Sequence, residues 1–310
     1  MLSFVFPPPC EWDPAKDMPD QTGRVAIVTG GNSGIGFEIA RWLLRKNAKV
    51  YIASRSEQRA NVAIKKFKEE GLPGDAIYMT LDLGSLVSIK KFVISFLARE
   101  QRLDLLFNNG GITNLDLHAT TVDGYETNMG INALGPHYLT QQLIPALVAS
   151  YRTTPENPPR VCFTSSLLHR GASAKGFDPE DPSGLKAPRP FGLAPQMRAY
   201  GSSKFANILS VKKLDRQYGP DGIVFTAVHP GGLRTGILKD SPGLFGAALR
   251  LTSQLFFYPQ EMGALTPLYA GTAPETAKKG GRYFASWARE VEPMTLTEHE
   301  GIQDALSKHT

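Results

Sequence analysis

The chain has 310 residues, 42% hydrophobic and 20% charged, a balance that excludes wholesale disorder and fits one large domain or two small ones. The net charge of +5 is spread along the chain, so it reads as a solvated surface and excludes a nucleic-acid patch. The two cysteines, Cys10 and Cys162, lack metal-ligand spacing, which excludes a zinc finger or a disulfide scaffold and suits a reducing, cytoplasmic setting.

Residues 1–22 are rich in Pro and Asp and read as an arm on the surface. The apolar start is too short for a signal h-region, and no stretch reaches the roughly 18 apolar residues of a membrane span. From residue 24 the pattern predicts strands at Arg24–Thr29, Lys49–Ser54, Ala76–Thr80, Leu103–Phe107, Arg160–Ser165, Ile223–His229 and Arg282–Phe284. Helical periods lie between them. Ala60, Ala63, Ile64 and Phe67 share one face, as do Leu86, Ile89, Val93, Phe96 and Leu97 behind a Ser85 N-cap. Such alternation predicts an α/β fold with a parallel sheet and helices on both faces. Two stretches break the rhythm. Residues 167–198 carry prolines and glycines with no sustained period and read as a long loop. Residues 236–258 hold Leu244, Phe245, Leu249, Phe256 and Phe257 and read as a short apolar lid over a substrate.

Val25–Gly36 reads VAIVTGGNSGIG, an apolar strand running through glycines into a helix. Gly30 suits a tight turn, Gly34 a close approach of backbone to pyrophosphate, and Gly36 the packing of helix on strand. Asn32, Ser33 and Ile35 belong to the same loop. The helix N-terminus offers N–H groups and partial positive charge to phosphates. The spacing G-x-x-x-G-x-G is one residue longer than the usual dinucleotide fingerprint.

With TGGNSGIG the sequence resembles the short-chain dehydrogenase/reductase family, over roughly residues 22–290. The resemblance implies one Rossmann domain at 23–290, a doubly wound sheet of seven parallel strands, with 291–310 as a tail. Further family positions follow in order. Arg55 ends the second strand where NAD enzymes tend to carry a carboxylate, so it implies NADP(H) through a 2′-phosphate contact. Ser33 stands where NADP-using relatives often have a second basic residue. Asp82 and Leu83 are similar to the adenine-contacting pair. Asn109 and Gly110 lie in Asn108-Asn109-Gly110-Gly111, similar to the family's Asn-Asn-Ala-Gly, with Gly in place of Ala.

Tyr200 and Lys204 form Y-x-x-x-K, which places phenol and ammonium on one helix face. The ammonium and a positive nicotinamide ring favour the phenolate, so the Tyr200 pKa is expected to fall from about 10 toward neutrality. Ser166 corresponds to the catalytic serine, with Ser165 as the alternative. Asn132 resembles the Asn of N-x-x-G, expected to hold a water that links Lys204 to solvent. Pro230, Gly231 and Thr235 match Pro-Gly-x-x-x-Thr and are expected beside the nicotinamide. His229 reads as a structural strand-end residue, and no metal site is expected. The long loop and the tail are most like the retinol-dehydrogenase-like branch.

The implied activity is an NADP(H)-dependent oxidoreductase that interconverts carbonyl and alcohol on a lipophilic small molecule, with reduction favoured. A homodimer and peripheral membrane contact both fit it. The alternatives are an NAD-dependent alcohol dehydrogenase and a catalytically silent dinucleotide-binding sensor or scaffold.

Overall fold

The first strand, β1 (Val25–Thr29), is buried along its whole length, and its side chains divide between two cores. Val25 and Ile27 pack on one face with Ile89, Phe92, Leu139 and Ile208. Ala26 and Val28 pack on the other with Ile39, Leu43, Phe67 and Leu268. Strand alternation thus feeds two apolar layers, as a parallel sheet covered by helices requires. In this computed structural model residues 8–172, 195–231 and 258–306 are described. Thr235, most of the apolar 236–258 stretch and the middle of the 167–198 loop lie outside the described residues.

The remaining strands are β2 (Lys49–Ser54), β3 (Asp75–Thr80), β4 (Leu105–Asn108), β5 (Arg160–Thr164), β6 (Val224–Val228), β7 (Arg282–Ala285) and β8 (Arg289–Glu290). The helices used below are α1 (Gly34–Arg45), α2 (Glu57–Glu69), α3 (Leu86–Leu97), α4 (Gly135–Thr153), α5 (Pro195–Tyr218), α6 (Leu265–Thr272) and α7 (Glu300–Leu306). The sheet order is β3-β2-β1-β4-β5-β6-β7-β8. The order reverses between β1 and β4, and a ligand crevice opens at the carboxyl ends of strands at such a reversal.

All seven predicted strands are present and parallel. The expected seven-stranded sheet gains an eighth strand, β8, which pairs antiparallel with β7. The turn between them has Trp287 and Ala288 at φ 64° and 61°, a conformation uncommon for residues with a Cβ. The N-terminal stretch does more than lie on the surface. Trp12, Met18 and Gln21 are buried, and Trp12 stands edge-on to Tyr269 at 5.8 Å.

The end of the sheet away from the crevice is tied by Asp104, which is 1% exposed. Its carboxylate accepts from Val25 N–H at 2.7 Å and Ser150 Oγ at 2.6 Å, and pairs with Arg102 at 3.4 Å. This anchors β1, β4 and α4 to one another before the chain reaches the site.

Candidate active site

The loop after β1 turns on Gly30, whose φ of +68° is costly for any residue with a Cβ. Its N–H donates to Ala53 O on β2 at 2.8 Å. Gly36 meets this turn from α1: a Cβ there would lie 2.4 Å from Gly30 O and 2.6 Å from Asn109 Nδ2. Only a missing side chain lets helix and turn come this close. Ser33 is the N-cap of α1, yet its hydroxyl makes no capping bond. The helix therefore presents open N–H groups beside an uncommitted hydroxyl, a fit for phosphate oxygens.

A cleft of about 210 Å³ runs from this loop past the ends of β2, β3 and β4. Among the sequence candidates, Gly30, Asn32, Ser33, Arg55, Asp82, Leu83 and Gly110 line it. Asp82 Oδ1 accepts from Gly84 N–H at 2.9 Å. Gly110 N–H donates to Thr29 Oγ1 at 2.8 Å. Asn109 stands behind the wall rather than in it, with Nδ2 on Thr29 O at 3.1 Å. Asn108 likewise serves the scaffold, its Nδ2 on Thr140 Oγ1. Arg59 in the first turn of α2 lines the cleft with Arg55, Ser54 and Ser56. Ser56 caps that helix by accepting from Arg59 N–H. Asp82 is the single carboxylate among the lining residues.

Where β5 ends, Ser165 and Ser166 have different partners. Ser165 is buried and its hydroxyl donates to Lys204 O at 2.7 Å, which locks α5 against the strand. Ser166 is partly exposed; its Oγ accepts from Leu168 N–H at 3.2 Å, and its side chain favours the ionised form of Tyr200. Of the pair, Ser166 is thus the one whose side chain acts on Tyr200.

Tyr200 and Lys204 share a face of α5, with Lys204 Nζ 5.5 Å from the centre of the phenol ring. Burial pushes the phenol up to about 12, and the Ser166 hydrogen bond is the one opposing influence. The ammonium is not drawn close enough to reverse this: burial brings Lys204 itself down to about 8, and its Nζ donates to Thr164 O at 3.0 Å. Asn207 Nδ2 donates to the same carbonyl at 3.0 Å. Gly111 lines the cleft on one side, and a Cβ on it would lie 3.4 Å from Lys204 Nζ on the other. Lys204 thus sits just behind the cleft wall.

Asn132 lies in a π turn, Gly130–Leu134, between a short helical turn and α4. Its side chain is a strut between two segments. Oδ1 accepts from Ile112 N–H at 2.7 Å, while Nδ2 donates to Ile112 O at 2.9 Å and to Ser203 Oγ at 3.0 Å. It joins the loop after β4 to α5, one residue from Lys204. A wide turn in a helix is a frequent mark of a functional position. Pro230 and Gly231 follow β6 beside the β7–β8 turn, where a Gly231 Cβ would come 3.1 Å from Ser286 Oγ. His229 is buried and pushed down to about 3 by burial, which keeps it neutral and fits a structural role.

A family model described as short chain dehydrogenase matches residues 24–168. A short-chain dehydrogenase/reductase of Armillaria gallica is 38% identical over 290 residues, covering 93% of this chain and 89% of that protein. The chain belongs to the short-chain dehydrogenase/reductase family. It is therefore an oxidoreductase of a family that uses NAD(P). Dehydrogenase/reductase SDR family member 13 of Homo sapiens is 34% identical over 295 residues, 94% of this chain and 72% of that protein. Among solved structures, the Pseudomonas aeruginosa RhlG/NADP active-site complex is 27% identical with a TM-score of 0.64, covering 84% of this chain and 94% of that one. An uncharacterised Mycobacterium Paratuberculosis protein is 26% identical with a TM-score of 0.69, covering 96% and 95%.

Within this family member, many of the sequence candidates lie close together, while Thr235 lies outside the described residues. The glycine loop, Arg55, Asp82, Leu83 and Gly110 form the cleft, and Gly111 joins it to Ser166, Tyr200, Lys204 and Asn132. Sequence reasoning missed Arg59, Gly111, Ser203 and Asn207. The available signal for the first was Ser56 as an N-cap, which puts Arg59 in the first helical turn next to Arg55.

Proposed function

We propose that this enzyme is an NADP(H)-dependent reductase of ketones or aldehydes on lipophilic small molecules, working in the cytoplasm. The observation that carries the cofactor preference is Arg55, just past the end of β2, with Arg59 in the first turn of α2, both lining the cleft where a 2′-phosphate would lie. The residues present fit the dinucleotide. The Gly30–Gly36 loop takes the pyrophosphate at the start of α1, Asp82 and Leu83 flank the adenine, and Gly110 and Gly111 leave room for a ribose beside Lys204. Pro230, Gly231 and Thr235 are assigned to the nicotinamide end by the family resemblance.

The bound nicotinamide supplies the hydride. Ser166 Oγ holds the substrate oxygen beside the Tyr200 hydroxyl, and Tyr200 gives its proton to that oxygen. Lys204 binds the ribose hydroxyls and lowers the barrier to proton release by its charge. Asn132, through Ile112 and Ser203, keeps the loop and helix around Lys204 in register. The lipophilic preference rests on the apolar residues of 236–258.

The test measures NADPH and NADH consumption with a series of aldehydes and ketones of rising chain length. Each further buried methylene should improve kcat/KM, at about 0.8 kcal/mol. Arg55→Ala and Arg59→Ala should each raise the KM for NADPH by about tenfold, the low end for a charged hydrogen bond at an exposed site, and leave that for NADH nearly unchanged. Equal effects on both cofactors would refute the NADP assignment.

A further inference from the structure

Three residues after Ser166, in the short 3-10 turn Leu167–Gly171, His169 is fully buried. Its Nδ1 lies 2.7 Å from Ser166 O and its Nε2 lies 3.2 Å from Met294 N. A carbonyl only accepts and a backbone N–H only donates. Nε2 therefore accepts, Nδ1 carries the hydrogen, and the ring must be neutral to hold both bonds. The groups facing it keep it neutral. Burial brings the imidazole down to about 4, with Arg170 pushing the same way against the Ser166 carbonyl. His229 is itself pushed down by burial, and the Tyr283 ring stands edge-on at 5.2 Å with its phenol pushed up.

Met294 opens the stretch that runs through the 3-10 turn Thr295–Glu298 into α7. Met294, Leu296, Ile302 and Leu306 pack with Phe205 and Leu209 of α5. Lys212–Glu298 and Arg216–Asp304 ion pairs, each 2.6 Å, add to this seam. The C-terminal stretch therefore grips the helix that carries Tyr200 and Lys204. Through His169 it also grips the turn that carries Ser166.

We propose that His169 is a positioning residue: it clasps the Ser166 carbonyl to Met294 and so holds the Ser166 hydroxyl in register with Tyr200. The inference rests on the reading of Ser166 and Tyr200 as partners in proton transfer. Of its two bonds, the one from Nδ1 bears on Ser166 directly. An Asn amide reaches about as far as Nδ1 and can replace that donor. A Gln amide reaches about as far as Nε2 and can replace only the acceptor.

The experiment labels tyrosine at Cζ in the full chain and follows the Tyr200 carbon signal, assigned with Tyr200→Phe. Ser166→Ala and His169→Phe should move it in the same direction. His169→Asn should keep it near the wild-type position, and His169→Gln should not. In turnover, His169→Phe should lower kcat by about tenfold or more, as a misplaced catalytic group does, while the Kd for NADPH stays within about twofold. His169→Asn should restore most of that loss. A folded His169→Phe with an unmoved Tyr200 signal overturns the proposal. So does equal behaviour of the Asn and Gln variants, a comparison that stands even where the Phe variant fails to fold. A wild-type enzyme that reduces no carbonyl refutes the functional reading instead, and the Tyr200 signal still decides the clasp.

Discussion

Adding one methyl group at Gly36 tests the fit between the phosphate loop and α1. The Cβ of Gly36→Ala would lie 2.4 Å from Gly30 O and 2.6 Å from Asn109 Nδ2. An ordinary carbon–oxygen contact needs roughly 0.8 Å more than the first of these, so α1 must slide outward or the Gly30 turn must flatten. Neither is free to do so. Gly30 N–H is held by Ala53 O at 2.8 Å, and Asn109 Nδ2 by Thr29 O at 3.1 Å. Overpacking of this kind costs about 1–3 kcal/mol, and the upper half applies where the atoms met are backbone. At about 1.5 °C per kcal/mol for a chain of 310 residues, the melting temperature should fall by about 3–5 °C. Calorimetric titration should show weakened NADPH binding as well, because the displaced N–H groups are the ones that face the phosphates. A variant with wild-type melting temperature and wild-type affinity would show that the loop and helix are looser than these contacts imply.

Three further outcomes are expected. Tyr200→Phe should keep NADPH affinity and lose at least about 99% of kcat, since only the proton donor goes; retention of a tenth of the rate would assign proton transfer elsewhere. Asp104→Ala should cost about 3–5 kcal/mol in urea unfolding, because it strands the buried Val25 N–H and Ser150 hydroxyl. Asp104→Asn should cost less than half as much, since Oδ1 can face Val25 N–H while the Ser150 hydroxyl turns to accept. Lys204, at about 8 when folded against 10.5 when free, releases its proton in the native state first. Between those pH values the unfolded chain binds more protons, so stability rises with pH by up to about 1.4 kcal/mol per unit, and Lys204→Met should remove that rise.

The strands and the two cores were legible because buried parallel strands are near-continuous apolar runs, and β2 was bounded correctly at Lys49 and Ser54. The glycine loop and Y-x-x-x-K were legible because spacing alone puts their parts together. Other features depend on pairings that no local pattern carries. Strand β8 has two residues and follows a left-handed turn built on Trp287 and Ala288, neither of which is a turn former. Asn132 stood out as a poor helix former, yet only the π turn shows where its amide points. Ser165 and Ser166 are identical in the sequence, and burial separates them. The sequence shows which charges stand near Tyr200 but not its burial, which pushes the phenol up while Lys204 leans on Thr164. The 167–198 loop was drawn too wide: it contains the Leu167–Gly171 turn with His169, and α5 already begins at Pro195.

The seam of residues 294–306 against α5 also has a consequence for synthesis on the ribosome. Phe205 is translated about 90 residues before Met294, and at about 5–20 residues per second that interval lasts roughly 4–18 s. Through it the nascent sheet can assemble from β1 to β6, while Phe205 and Leu209 wait with their apolar face open to water or to a chaperone. A stop codon that removes residues 294–306 would make that waiting state permanent. Such truncations should show as loss of protein abundance rather than as a stable enzyme of reduced rate.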